Sequence, residues 1–132
     1  LFRRGGKRGV VHMADSVMEQ IAALSDEDWA VREDAASVLA TLKDPRAVAP
    51  LVRALRDSDR AVREAAKAAL FAIGEPAVPA LGDCLDDPEL QVQEAASAVL
   101  AEIADYRAFD ALVAALRSGD WIVRVPPLPS HS

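Results

Sequence analysis

The 132-residue sequence holds one cysteine, Cys84, and two histidines, His12 and His131. A lone cysteine excludes an intramolecular disulfide and a cysteine-built metal site within one chain, and it fits a reducing, cytoplasmic location. With both histidines in the terminal segments, the body of the chain has no imidazole for catalysis or metal ligation. Aromatic residues make up only 5% of a chain that is 52% hydrophobic. Alanine supplies much of that apolar content, which favours closely packed helices over a β-sandwich. There is no GxGxxG, no P-loop and no nucleophile elbow. Gly5-Gly6-Lys7 lacks the strand–loop–helix frame of a phosphate cradle. No apolar run reaches membrane length, and the basic N-terminal stretch has no apolar core of the kind a secretory signal needs. A net charge of −6, with the basic cluster Arg3, Arg4, Lys7 and Arg8 confined to the first twelve residues, argues against broad nucleic-acid binding. These absences lead to the expectation of no enzyme activity, no metal, no cofactor, no nucleic acid and no membrane. Met13 is the expected natural start, with 1–12 read as a basic tail, native or vector-derived.

What the chain has in quantity is one amphipathic recipe. It reads DWAVREDAASVLATL at 28–42, DRAVREAAKAALFAIG at 59–74 and ELQVQEAASAVLAEI at 89–103. Val31, Val62, Val92 and Val123 recur at intervals of 31, 30 and 31 residues, and so do Leu24, Leu55, Leu85 and Leu116. Two independent markers sharing one period signal an internal repeat. Each unit divides into two helical patterns. In the first helix, Val62, Ala65, Ala66, Ala69, Leu70 and Ile73 follow i, i+3, i+4 spacing. Asp28 and Asp59 stand as N-caps, Glu89 is a poorer one, and Gly74 is placed to close the second unit's first helix. The second helix is shorter, with the stripes Val48-Leu51-Leu55, Val78-Leu81-Leu85 and Phe109-Leu112-Leu116. Asp44-Pro45 is a cap followed by proline at the first helical position. A single helix pair cannot bury both its apolar faces, whereas stacked copies share a continuous core.

The motif Asp59-x-x-Val62-Arg63-x-x-Ala66 with Ala69-Leu70-x-x-Ile73-Gly74, followed by Ala77-Val78-Pro79-Ala80-Leu81, resembles HEAT-like repeats over roughly residues 14–125. The match is to the short class of about thirty residues found in bilin-lyase-type proteins, rather than to units of about 40–47 residues. The resemblance implies an all-α fold: an α–α superhelix of three helix pairs, plus an N-terminal half repeat at 14–25 and a truncated fourth unit. It also implies that the cap aspartate and following arginine link neighbouring repeats. Asp28/Arg32, Asp59/Arg63 and Asp120/Arg124 match, while Glu89/Gln93 departs, so the ladder is expected to weaken at the third unit. For function it implies a protein- or peptide-binding module; a bilin lyase-like role is the alternative.

The boundaries read as a solenoid over 13–125 and a Pro-rich tail over 126–132, because Pro126-Pro127-Leu128-Pro129 stops the fourth unit. The third repeat is thereby left without a full neighbour. Either the tail caps it, or another chain covers it, including a second copy in a homodimer. Solenoids bind along the face lined by their second helices. Carrying the register across those helices predicts a ridge beside the core stripes at Ile21, Val52, Gly82 and Val113, flanked by Met18. Arg53, Arg56, Asp83 and Asp110 supply mixed charge around it. Trp29 and Trp121 occupy equivalent positions, and each either packs over the preceding helix or stands as an aromatic anchor. The carboxylates at Asp26-Glu27-Asp28 and Asp83/Asp86-Asp87 read as helix caps, and Cys84 reads as a small buried filler.

Overall fold

A computed structural model describes the backbone of residues 13–118, all of it helices and turns. The order is α1 (Met13–Ala23), α2 (Trp29–Leu42), a 3₁₀ turn (Pro45–Ala47) leading into α3 (Val48–Ala54), α4 (Arg60–Ile73), a second 3₁₀ turn (Glu75–Ala77) leading into α5 (Val78–Asp83), a third (Cys84–Asp86), and α6 (Leu90–Ser118). The long first helices α2, α4 and the front of α6 lie side by side in one layer. The short helices α1, α3 and α5 form the other layer, each packed on the long helix that follows it.

The caps act as the residue types dictate. The Asp28 carboxylate accepts from the Ala30 amide, and the Asp59 carboxylate from the Ala61 amide, each at 2.9 Å. Asp44 does the same for Arg46 ahead of Pro45. α2 closes on Lys43 at φ 53° and α4 closes on Gly74 at φ 77°.

The core is the repeated stripe. Val62, Ala66, Ala69 and Leu70 of α4 are fully covered, as are Leu51, Leu55 and Leu81 of the short helices. The same positions open at the two ends of the stack. Val31 is 38% exposed where Val62 and Val92 are at 0%, because among the described residues only the half unit α1 precedes it. Leu85 is 45% exposed where Leu55 is at 0%.

The expected ladder exists, with different partners. Arg32 holds Asp57 through two hydrogen bonds of 2.7 and 3.0 Å, and its third nitrogen caps the carbonyls of Asp26 and Glu27. The acceptor is therefore the residue two before the cap, not the cap itself. In the next rung the donor changes: Arg56, at the end of the second helix, pairs with Asp87, while Arg63 caps only the carbonyls of Asp57 and Ser58. At the third unit Gln93 gives a neutral bond to the Asp87 carbonyl, so the charged link ends there.

These pairs set the acid response. Burial pushes the Asp57 carboxyl up, but the Arg32 fork and the Asp59 amide outweigh it and hold the group below its ordinary value. Arg56 holds Asp87 down in the same direction, and Arg46 lowers Asp44 to about 2. A carboxyl with a depressed folded pKa stabilises the fold fully above its unfolded value near pH 4, and that stabilisation fades as pH falls through the folded value. The urea midpoint is thus expected to stay level from neutral pH to about 5 and then to fall towards pH 2. Asp57→Ala should lower neutral-pH stability by about 2 kcal/mol and flatten that acid limb, as read from urea titrations across the range.

A candidate protein-binding surface at the unfinished end

The structure departs from the repeat pattern at the third unit. A turn is expected between Ile103 and Phe109, yet α6 runs unbroken through it to Ser118. The reason lies in three aligned positions. Lys43-Asp44-Pro45 of the first unit corresponds to Ala104-Asp105-Tyr106 of the third. The cap aspartate is kept, but the left-handed Lys43 becomes alanine, the best helix former, and the helix-opening proline becomes tyrosine. Neither proline nor glycine interrupts the segment, so the helix continues. Two contacts fasten the straight form to the preceding unit. Arg107 Nε lies 2.7 Å from a Glu75 oxygen, and the Tyr106 ring meets Phe71 edge-on with centroids 6.2 Å apart. Between them lies a groove of about 430 Å³ lined by Lys43, Phe71, Ile73, Gly74, Ile103 and Tyr106.

The consequence is an uncovered apolar stripe. Phe109, Leu112 and Leu116 are 64%, 54% and 48% exposed, whereas their equivalents Val48, Leu51 and Leu55 lie at 8%, 0% and 0%. The position the missing short helix should fill is uncovered as well. Leu85 is exposed, and Leu100 is only half-buried although its equivalents Leu39 and Leu70 are fully covered.

The ridge expected along the short helices needs correcting. Ile21 and Val52 are half-buried and packed against the core, so they are packing residues rather than an open apolar strip. Val52, Arg53, Arg56 and Asp83 do come together, with Ala49, Ala80, Cys84 and Asp87, around a shallow depression of about 330 Å³. Arg56 is exposed but already engaged there by Asp87 and lies 3.6 Å from Glu89, whereas Arg53 is exposed and in no ion pair among the described residues. Met18 is exposed at the far end on α1, while Asp110 and Val113 sit on the outlying half of α6 and do not join the group. Gly82 leaves open space, since a Cβ there would meet nothing within 4 Å. Trp29 is 48% exposed; Trp121, the rest of the fourth unit and the tails lie outside the described residues.

Cys84 is buried, and desolvation together with Asp87 and Asp83 raises its thiol pKa, so it is a filler and not a nucleophile. Among the described residues no group of three or more His, Cys, Asp and Glu is placed to hold a metal ion. Part of the acidic turns is accounted for by bonds to backbone amides: Asp26, Asp57 and Asp87 accept from the amides of Asp28, Asp59 and Glu89, while Asp83 makes no side-chain cap bond.

A comparison with family models matches HEAT repeats over residues 18–99, well over half of the chain. The chain belongs to the HEAT-repeat family. No curated protein matches it closely enough to add a relative. The matched region ends inside the front half of α6, before the unbroken segment begins. HEAT repeats are commonly protein-interaction scaffolds and generally non-catalytic. In this HEAT-repeat chain the surface that differs from its own repeat pattern is the one that leaves large apolar side chains uncovered.

Proposed function

We propose that this HEAT-repeat protein is a non-catalytic cytoplasmic scaffold that takes a partner's amphipathic helix at its unfinished end. The supporting observation is the pairing there of an uncovered apolar stripe (Phe109, Leu112, Leu116) with an uncovered helix seat (Leu85, Leu100). Contiguous exposed apolar residues on an otherwise charged chain mark interaction sites, and a groove beside a helix accepts i, i+3, i+7 anchors. The ridge depression is the weaker surface, since its apolar members are already packed and one of its two arginines is already paired.

The test is a titration of isotope-labelled protein, in dilute solution, with an amphipathic helical peptide carrying leucines at those spacings. Amide shifts are expected around Leu85, Leu100 and the outer half of α6. Leu85→Asp should weaken binding at least about tenfold, equivalent to about 1.4 kcal/mol. Shifts confined to Val52, Arg53 and Asp83 would move the site to the ridge, and absence of any binding would remove the scaffold reading.

A further inference from the structure

We infer that the occupant of the unfinished end is a second copy of this chain, which exchanges the outer half of α6 (residues 105–118) reciprocally. This rests on the scaffold reading above and names its partner. Ala108-Phe109-x-x-Leu112-x-x-Ala115-Leu116 repeats Ala47-Val48-x-x-Leu51-x-x-Ala54-Leu55 and Ala77-Val78-x-x-Leu81-x-x-Cys84-Leu85 position for position. Both earlier copies are short helices seated in the second layer, with their alanine and leucine positions covered except at the outermost Leu85. The third copy carries the same stripe and leaves it largely exposed among the described residues. With α6 straight, the Arg107–Glu75 and Tyr106–Phe71 contacts join it to the preceding unit and the stripe stays out of such a seat.

Donor and acceptor are thus both exposed among the described residues, and both are on every copy. The donor is the stripe on the outer half of α6. The acceptor is the position beside α5 and the front of α6, where Leu85 and Leu100 are left uncovered although their equivalents are buried. Exchange of an identical element between protomers is a low-cost route to a dimer, because every contact it makes is one the sequence already specifies within a single chain. A foreign helix would have to reproduce that stripe; a second copy carries it. The hinge also supports exchange. Asp105 keeps the cap position of Asp44, and Arg107 keeps the position of Arg46, so the segment retains the ends of a separate helix although the break itself is lost. Phe109, 64% exposed, brings from each copy about two thirds of the roughly 150–250 Å² an aromatic side chain can bury. The four leucines of the two stripes, with the walls of both seats, take the total towards the roughly 1,000 Å² that a specific interface needs.

The test is solution mass by light scattering on the full chain at about 100 µM, where a concentration-dependent dimer is populated. The wild-type chain is expected at twice 14.1 kDa. Leu112→Asp disrupts the donor stripe at a side chain that is 54% exposed and outside the buried core, and it should give a folded monomer by circular dichroism. Ala104→Gly with Tyr106→Pro restores the missing break, lets the segment fold back onto its own Leu85, and should also give a monomer with undiminished helix content. A dimer that survives either change overturns exchange; should the double variant fail to fold, Leu112→Asp still decides. A synthetic peptide of residues 104–118 added to the Leu112→Asp chain separates the two proposals. If the wild type is monomeric but the peptide binds, exchange is wrong and the end serves a foreign helix. If the wild type is monomeric and the peptide does not bind, both readings fall.

Discussion

Leu51→Ala is expected to destabilise the protein by about 3 kcal/mol, whereas Leu112→Ala should leave the unfolding transition of the dilute chain unchanged. The two leucines occupy the same place in the repeat, yet Leu51 is at 0% exposure and Leu112 at 54%. Truncating Leu51 removes a transfer contribution and leaves a cavity between α3 and the long helices, and the two effects add. For a domain of this size, 1 kcal/mol moves Tm by about 4–8 °C, so Leu51→Ala should lower Tm by more than about 10 °C. Truncating Leu112 removes a half-exposed side chain that is no part of the buried core, so it leaves no closed cavity. Thermal melts of the two variants at low concentration decide the matter. Equal losses would mean that the outer half of α6 folds back in solution and that the straight helix is not the resting form.

Gly74→Ala should cost about 1–3 kcal/mol, the second large effect. Gly74 sits at φ 77° and ψ −127°, a region that side chains with a Cβ rarely enter. Space is not the obstacle, because an added Cβ would meet only the Phe71 carbonyl oxygen at 3.8 Å. The penalty is therefore backbone strain, and it should appear in Gly74→Ala and Gly74→Ser alike. A urea titration reads it, and a loss below about 0.5 kcal/mol would show that the turn relaxes into another conformation. The contrast with Lys43 is instructive: at φ 53° it holds an ordinary left-handed turn that a lysine tolerates, whereas the Gly74 turn is one residue shorter and demands a conformation essentially confined to glycine.

The repeat period, the helix class, the caps at Asp28, Asp59 and Asp44, the stop at Gly74 and the burial of Cys84 were all legible in the sequence. They depend on interactions within a few residues, or on a periodicity that any stacked copy must bury. The loss of the third turn was also legible in principle, as the replacement of Lys43 and Pro45 by Ala104 and Tyr106. Repeat symmetry argued for a turn there, and local helix propensity argued against one. Propensity prevailed where alanine and tyrosine replaced the left-handed lysine and the helix-opening proline.

Other features belonged to the tertiary structure alone. Which acceptor Arg32 takes depends on how the next unit is rotated, and that rotation brings Asp57 rather than Asp59 to it. Whether Val52 forms a ridge or packs inward depends on the approach of neighbouring short helices, which a period cannot encode. The exposure of Leu85, Val31 and Phe109 depends on what lies beside them. A repeat states the same intent in every copy; burial is decided by neighbours, and the end units of a finite stack lack them.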